Sequence, residues 1–457
     1  MKPRATRPPR IFIGLREVSG FGRGLKAGFD QIGVESAFLN IGYHHHRYET
    51  SNNPAWADRL ATASQKLGRY FTIQWWRRIL WIGFVQNLFS VMAFPWALWR
   101  YDAFIYISVS SFCFFLELPI LKLFGKKVIY VFAGSDTRPV YLNGYVMTKT
   151  SRGAVRKAIA LARIQKICVW IIDRYADVVV NAWPSAHFHT RPIVSSYYIG
   201  IPAEYTSAMP GQPEFESESS RVRILHAPSK LGPKGTAEIR LVIQALHAKG
   251  LEFDYVEITG RPHAEVLAEI QRASFVIDEL YSDTPMAAFA TEAAFFGKPS
   301  VVGSYYCSQI AQVLHPDEMP PSLFCHPDEI ECAIERMITD HAFREDIGRR
   351  AQIFVRDHWS ARRVAEKYLM LINGTYPREW LFDPKQIRYL EGCGLKKERG
   401  IELVRAFLAA GGPGTLCLND KPELAALFVG MAKGADRQDR QMRQADTAKT
   451  GRKDQLP

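Results

Sequence analysis

The chain has 457 residues, 47% of them hydrophobic and 23% charged, so it is long enough for two or more globular domains. Its seven cysteines are scattered and form no CxxC pair, which argues against a disulfide framework or a zinc site and favours a reducing cytoplasm. The net charge of +12 leaves nucleic acid, an anionic bilayer and a diphosphate-bearing ligand open as partners. Residues 1–10 are a basic extension without an apolar segment, so we expect no signal peptide.

Short apolar runs alternate with helical patterns through the first half of the chain. We predict strands at 11–15, 35–41, 103–109, 127–132 and 178–181, with helices at 24–32 and 116–124. This alternation is typical of a parallel sheet with crossover helices. It predicts a first domain over residues 11–205.

Residues 66–101 form an aromatic and basic insert in this domain. Five tryptophans alternate there with four arginines, namely Trp75, Trp76, Trp81, Trp96 and Trp99 with Arg69, Arg77, Arg78 and Arg100. Residues 79–99 are long enough to span a bilayer, but Gln86, Asn87 and Pro95 interrupt them. Three interpretations stay open: an interfacial helix on anionic lipid, core helices of the first domain, and a transmembrane helix. We favour the interfacial helix.

The second half of the chain repeats the alternation after a break. Residues 206–220 are rich in Pro, Gly, Ser and Glu, and are predicted to be an interdomain linker. Strands follow at 222–227, 255–259 and 275–280, with helices at 236–249 and 264–273. We predict a second domain at 221–375, a helical extension at 376–432 and a disordered tail at 433–457. The fold class is therefore α/β, with two Rossmann-like doubly wound domains facing a central cleft.

The first connection between strand and helix is rich in glycine, with Gly20, Gly22 and Gly24 in the run GLREVSGFGRG. Glycines let the backbone approach a ligand, and a helix that starts there offers N–H groups to an anion. A dinucleotide fingerprint would also need an acid at the end of the second strand, which instead ends in Asn40. The three histidines at 44–46 are interpreted as a polar loop, because neighbouring histidines cannot all face one metal.

Three further segments carry charged groups that could line the cleft. Asp136 and Arg138 follow a predicted strand in the loop FAGSDTR, where an acid and a guanidinium could orient a polyol and neutralise phosphate. Lys234 precedes Gly235 at the start of a predicted helix, and with Ser229 or Lys230 it is the candidate site for a diphosphate.

The last segment is a helix of small residues that carries one carboxylate, Glu292. It follows a strand that ends in Asp278 and Glu279, and Gly297 closes it. A carboxylate near the end of a parallel strand can accept hydrogen bonds from the two hydroxyls of a ribose.

Taken together, these segments resemble the nucleotide-sugar-dependent glycosyltransferases of the GT-B fold, and most closely retaining family four. The resemblance spans about residues 10–373. Its matching pieces are the glycine loop 20–24, the loop 132–138, the segment that ends at 234–236, the helix 290–299 and the closing segment 354–369.

The resemblance implies a role for several of these residues. It places Lys234 on the donor diphosphate and Glu292 on the donor ribose, with Asp136 and Arg138 in the cleft. The glycine loop would approach the phosphate and the acceptor. It also implies a retaining mechanism that uses a nucleotide-sugar as substrate. Because Lys234 and helix N–H groups would supply positive charge and no DxD pair is well placed, we expect neither a metal nor another cofactor.

Two positions depart from the family pattern. The family usually has a second glutamate eight positions before the ribose-binding one, and here that position is Thr284, flanked by Asp283. Asp283 could take over, the loop could be remodelled, or activity could be altered. An arginine that often partners the lysine is also missing, because residues 228–230 are Pro, Ser and Lys.

The leading functional interpretation is transfer of a sugar to a saccharide or lipid-linked acceptor, in the biosynthesis of a cell-surface polysaccharide or glycolipid. We expect a cytoplasmic protein that associates with the inner face of the plasma membrane through residues 66–101. Nucleic acid is not an expected partner, because no DNA- or RNA-binding module is recognisable. Two alternatives stay open: a nucleotide-sugar epimerase of the same fold, and a catalytically degenerate scaffold that binds sugar nucleotides.

Overall fold

The computed structural model describes residues 7–41, 59, 62–64, 86–134, 136–147, 149–203 and 221–434. Several sequence-based predictions fall outside these residues. They are the linker 206–220, the histidines 44–46, all of the tail beyond residue 434, residues 1–6 of the extension and residues 66–85 of the aromatic insert.

The first domain is built on a parallel sheet of six strands. They are β1 Ile11–Leu15, β2 Ser36–Asn40, β3 Ala103–Ile107, β4 Lys127–Val131, β5 Val178–Asn181 and β6 Ile193–Ser195. Their spatial order is β6-β5-β4-β3-β1-β2, so the order reverses between β1 and β3. Apolar side chains on both faces of these strands are buried, as expected for a sheet covered by helices on each side.

Helices cover the two faces of this sheet. They are α1 Phe21–Gln31, α2 Gln86–Arg100, α3 Glu117–Leu123, α4 Arg152–Tyr175 and the single turn α5 Ser196–Ile199. The apolar sides of α2, α3 and α4 share one core with the strands. The helix α1 packs in the core on the opposite face.

The second domain is built on a parallel sheet of five strands. They are β7 Arg223–His226, β8 Asp254–Glu257, β9 Phe275–Ile277, β10 Ser300–Gly303 and β11 Leu323–Cys325. The order β11-β10-β9-β7-β8 again reverses, this time between β7 and β9. The helices are α6 Leu231–Lys234, α7 Thr236–Ala248, α8 His263–Arg272, α9 Ala288–Phe295, α10 Cys307–Ile310, α11 Ile330–Thr339 and α12 His341–His358.

After α12 the chain returns to the first domain. The helix α13 Ala361–Asn373 packs against α1, and its Val364, Ala365 and Tyr368 are fully buried in the core of the first domain. A short strand, β12 Leu381–Phe382, then pairs antiparallel with β6 and becomes the seventh strand of the first sheet. The predicted boundary of the second domain at residue 375 is therefore too late, because 361–373 bury their apolar side on the first domain.

The C-terminal extension also belongs to the first domain. The helix α14 Lys397–Gly411 and the helix α15 (422–434) place Leu403, Phe407 and Phe428 in the core on the α4 side of the sheet. The predicted helical extension therefore follows a strand that joins the first sheet, and completes the core of that domain.

The described part of the aromatic insert is the helix α2. Its Ala93, Ala97 and Leu98 are buried in the first core, whereas Trp99 is 73% exposed on the outer side. The core interpretation thus holds for one side of 86–100. No helix in the described ranges is long and apolar enough to cross a membrane.

The prediction of two Rossmann-like α/β domains facing a cleft is confirmed by these two sheets. Predicted strands lie within two residues of the observed ones, except that the strand predicted at 275–280 ends at Ile277. Residues 278–280 instead leave the sheet, and the carboxylates of Asp278 and Glu279 contact Lys234, which lines the cleft together with Glu279. The resulting architecture is the one that the GT-B resemblance implies.

Candidate active site in the interdomain cleft

A cleft of about 540 Å³ lies between the two domains. It is lined by residues that follow β1, β4 and β5 on one side and β7 and β9 on the other. Ligands of open parallel sheets bind outside the carboxyl ends of the strands, where the strand order reverses. Both sheets reverse their order at this cleft, so it is the candidate active site.

Lys234 lies at the end of α6 and is held by two carboxylates. Its Nζ donates to Asp278 Oδ1 at 2.7 Å and lies 3.1 Å from Glu279 Oε2. Both acids are at least 96% buried and come directly after β9, whose neighbour in the sheet is β7. The reversal of strand order thus brings Lys234, which follows β7, to the acids that follow β9.

The two acids keep Lys234 protonated. Burial alone would lower the pKa of Lys234, but the negative charges of Asp278 and Glu279 raise it above its ordinary value. Burial raises the pKa of Asp278, whereas the pull of Lys234 and the hydroxyl of Tyr145 outweigh burial and lower that of Glu279. The cluster crosses the cleft, because the Tyr145 hydroxyl of the first domain donates to Glu279 Oε2 at 2.7 Å.

Glu292 lies on α9 and faces the same cleft. Its side chain is 9% exposed, and its Oε1 lies 2.7 Å from His263 Nε2 at the start of α8. Both residues line the cleft. The helix α9 consists mainly of Ala and Phe, and its Ala290, Ala293 and Ala294 are buried in the core while Glu292 lines the cleft.

Arg138 and Asp283 form a buried ion pair between the two domains. The Arg138 Nη2 donates to Asp283 Oδ2, and the two side chains are 3% and 9% exposed. Burial lowers the pKa of Arg138, but Asp283, together with Cys393 and Tyr389, raises it above its ordinary value. The Tyr197 hydroxyl also donates to the backbone carbonyl of Asp283, at 2.7 Å. Asp283 is therefore already neutralised by Arg138.

The glycine loop of the first domain is occupied by the chain itself. The buried carboxylate of Glu17 accepts from the backbone N–H groups of Val18, Gly22 and Arg23 at the start of α1. A Cβ at Gly22 would lie 2.4 Å from the ring of Phe38, so this glycine allows close packing of α1 on β2. The expectation that Gly22 approaches the donor is thus corrected.

Two other sequence-based candidates also stand back from the cleft. Gly20 is the left-handed residue before α1, and its neighbours Ser19 and Phe21 line the cleft in its place. Asp136 is half-buried outside the cleft lining, and its backbone carbonyl accepts from Gln165 at 2.7 Å. Neither Gly20 nor Asp136 lines the cleft.

The remaining candidates support or line the donor side. Gly235 joins α6 to α7 in the left-handed conformation, directly after Lys234. Ser229 and Thr284 line the cleft, and the backbone N–H of Thr284 donates to Ser282 Oγ at 3.1 Å.

Sequence reasoning missed the partners of these groups. Tyr145 and His263 lie far along the chain from the residues that they contact, and no local pattern marks them. The acids 278–279 did carry a signal, because two consecutive carboxylates at the end of an apolar strand require a cation if they are buried. Among the described residues, no group of three or more His, Cys, Asp or Glu could hold a metal.

The chain is similar in structure to several solved glycosyltransferases. It is similar to glycosyltransferase SnogD from Streptomyces nogalater at 12% identity and a TM-score of 0.42, with 80% of this chain and 100% of SnogD covered. It is similar to HepE from Anabaena, solved with UDP-glucose, at 11% identity and a TM-score of 0.43, with 80% and 99% covered.

A third similar structure is the lipopolysaccharide outer core galactosyltransferase WaaB, at 14% identity and a TM-score of 0.40, with 80% of this chain and 99% of WaaB covered. No protein-family model and no curated protein matches the sequence. At this level of similarity, the fold assignment rests on the order and direction of the strands in the two sheets.

Proposed function

We propose that the protein is a glycosyltransferase that moves a sugar from a nucleotide-sugar donor to a saccharide or lipid-linked acceptor. The observation that carries the proposal is that Lys234 and Glu292 line the same cleft. Both face the cleft from one domain, at a point where the strand order reverses. A cation and a carboxylate placed there match the diphosphate and the ribose of one ligand.

The donor would lie along the second domain. An ammonium group has three N–H donors, and two of those of Lys234 are directed at Asp278 and Glu279. The third is left for a phosphate oxygen. Glu292 would accept hydrogen bonds from the ribose hydroxyls once His263 moves away from its carboxylate or shares it with the ligand. The sugar would then extend towards Thr284 and the Arg138–Asp283 pair.

The chemistry follows from this placement. As the bond between sugar and phosphate breaks, negative charge grows on the leaving diphosphate, and Lys234 stabilises that charge without having to move. We propose transfer with retention of the anomeric configuration and without a metal ion. NMR analysis of the product anomer tests retention. Full turnover in the presence of a chelator tests metal independence, and loss of turnover would contradict it.

The acceptor would approach from the first domain. A saccharide or a lipid-linked saccharide fits a cleft that is open to solvent and lined on this side by Val18, Ser19 and Phe21. We place the reaction in the biosynthesis of a cell-surface polysaccharide or glycolipid, at the cytoplasmic face of the membrane. Incorporation of labelled sugar into lipid-extractable or polymeric products distinguishes these acceptors.

Donor binding is tested by thermal unfolding with UDP-, GDP-, ADP-, CMP- and dTDP-sugars. A ligand at about 100 times its Kd stabilises the folded state by about 2.7 kcal/mol. We expect one nucleotide class to raise the melting temperature of the wild type. Glu292→Gln should reduce that rise because it weakens the contact with the ribose.

The matched control is Glu252→Gln, which changes an exposed glutamate of the same domain by the same atoms. It should keep the full rise in melting temperature. A rise that survives Glu292→Gln unchanged would contradict the proposed ribose site. If no donor raises the melting temperature of the wild type, the proposal of a nucleotide-sugar enzyme is wrong.

A further inference from the structure

Exposed apolar side chains are concentrated on one side of the first domain. Of the nineteen large hydrophobic residues that are exposed in the described ranges, twelve lie within residues 86–127 and 152–175. They belong to α2, α3, α4 and the segments that flank α3. We call the exposed side chains of these two ranges the three-helix face. Soluble surfaces seldom gather so many apolar groups, and such patches mark interaction sites.

The helices of this face are neighbours, because α2 meets the end of α3 and α3 lies beside α4. Trp99 on α2 meets Phe124, just after α3, with ring centroids 5.7 Å apart. Leu123 is 84% exposed beside them. On α4, Ile164 and Trp170 are 57% and 55% exposed on the side turned away from the core. Removing water from leucine and tryptophan side chains that are this exposed is energetically favourable.

The charges of this face have one sign. Within 86–127 and 152–175, every exposed charged side chain is Arg or Lys. The acids in these ranges are the buried Glu117 and Asp173 and the half-buried Asp102, which is paired with Arg10. Each of the two buried carboxylates accepts hydrogen bonds from nearby backbone N–H groups. Some cations of this face pair with acids outside these ranges, namely Arg100 with Glu35, Lys122 and Lys127 with Asp177, and Lys166 with Asp420.

Several of these cations have no acidic partner. Arg156, Lys157 and Arg163 lie on the exposed side of α4 and make no ion pair with any described residue. They alternate with Leu161 and Ile164 along the same helix. A helix side that combines unpaired cations with exposed leucine, isoleucine and tryptophan is typical of helices that lie in the interface of an anionic bilayer.

We propose that the three-helix face docks the protein on an anionic lipid surface. A second copy of the chain fits this face poorly, because a symmetric contact would bring two positively charged surfaces together. The face also extends to the edge of the first sheet that borders the cleft. Crossover helices begin at the carboxyl edge of the sheet, so Leu116 at the start of α3 lies on the cleft side, and a lipid-linked acceptor would meet the cleft there.

The proposal is independent of the reaction in the cleft. The sequence predicts that residues 66–101 contact the membrane. The present proposal assigns the contact to the three-helix face, on which α4 contributes most of the cations without an acidic partner. It uses none of the residues 66–85. A protein that bound no nucleotide-sugar would still be expected to bind vesicles through this face, so the two proposals fail separately.

The test is flotation of the full-length protein with vesicles of phosphatidylcholine, with and without phosphatidylglycerol. We expect binding to the anionic vesicles only, and weaker binding at high salt. Arg156→Gln/Lys157→Gln/Arg163→Gln should weaken binding on the order of a hundredfold, at roughly fivefold per cation. Leu123→Gln/Trp170→Gln should weaken it by about tenfold or more through lost apolar contact.

Two matched controls keep the test specific. Arg349→Gln/Arg350→Gln/Arg356→Gln removes the same charge from α12, and Leu241→Gln/Leu427→Gln removes two exposed leucines from α7 and α15. Both controls should bind as the wild type does. All four variants change exposed side chains, and circular dichroism verifies that they are folded.

Three results would overturn the proposal. The first is equal binding to neutral and anionic vesicles. The second is anionic binding that neither face variant weakens but that deletion of residues 66–85 removes, which would assign the contact to that segment. The third is a wild type that binds no vesicles but forms a dimer in solution, with Leu123→Gln/Trp170→Gln converting that dimer to monomers. This result would assign the face to a second copy of the chain.

Discussion

Lys234 illustrates how the environment of one residue fixes its state. Two buried carboxylates would be costly on their own, and the ammonium group offsets that cost while remaining charged for a ligand. The lysine could be identified from its place before a helix, and Glu292 from its place on a helix of small residues. Their partners could not, because Tyr145 and His263 reach them only through the tertiary fold.

The first prediction concerns this cluster. We expect Lys234→Met to lower the free energy of unfolding by about 3–5 kcal/mol, because Asp278 and Glu279 would stay buried without a cation. Lys234→Met/Asp278→Asn should recover part of the loss. Chemical denaturation of the wild type and the two variants measures the free energy of unfolding.

A suitable control is Lys249→Met, in which a half-exposed lysine loses two surface acids, Glu331 and Glu335. Exposed ion pairs contribute about 1 kcal/mol or less. Equal losses in Lys234→Met and Lys249→Met would contradict the buried-cluster account.

The glycine loop shows why residue patterns alone can mislead. Glycines before a helix are compatible with an anion site, but here the anion is the protein's own Glu17. An acid three residues before the first glycine was visible in the sequence. Whether its carboxylate turns back onto the helix depends on the turn at 18–20, which no period or composition reveals.

Among the elements, the contact between α1 and α13 joins two distant parts of the chain. A Cβ at Gly28 would lie 2.0 Å from the carbonyl oxygen of Ala361, so the two helices touch through the backbone at this point. The alternation of strands and helices could be predicted because it depends on local periodicity. The destination of α13 could not, because an amphipathic pattern does not tell which domain will bury its apolar side.

The second prediction concerns this helix contact. Gly28→Ala should push α1 and α13 apart and lower the free energy of unfolding by about 1–3 kcal/mol or more. Gly153→Ala is the control, because that glycine lies in α4 with no atom near its missing Cβ. It should leave stability unchanged or raise it by up to about 1 kcal/mol. Thermal or chemical unfolding of both variants checks this, and equal effects would contradict it.

At the scale of the whole molecule, the two domains are tied together by polar groups inside the cleft. Arg138 holds Asp283, and Tyr145 holds Glu279, each across the gap between the domains. Two facing domains could be inferred from the sequence because each half repeats the same alternation. The contacts between the domains could not be inferred. The family pattern pointed to Thr284, whereas it is the neighbouring Asp283 that pairs with Arg138 of the other domain.

The third prediction concerns the tie between Arg138 and Asp283. Arg138→Met leaves a buried carboxylate without a partner, so we expect a loss of about 3–5 kcal/mol and a more open arrangement of the domains. Small-angle X-ray scattering should show a larger radius of gyration. Arg138→Met/Asp283→Asn should recover stability, since the stranded charge is removed.

The control is Arg240→Met, which breaks an exposed pair with Glu257 within the second domain. It should leave the radius of gyration unchanged. It should lower the free energy of unfolding by about 1 kcal/mol or less. An unchanged radius and a similarly small loss in Arg138→Met would show that this pair does not hold the domains together.

The return of the chain to the first domain has a consequence for synthesis on the ribosome. The first sheet has its first six strands by residue 195, yet its core lacks α13, β12, α14 and α15 until residues 361–434 emerge. Domains usually complete folding in the order of translation. Here the second domain can finish first, while the apolar surfaces that await the C-terminal segment stay uncovered for the length of its translation.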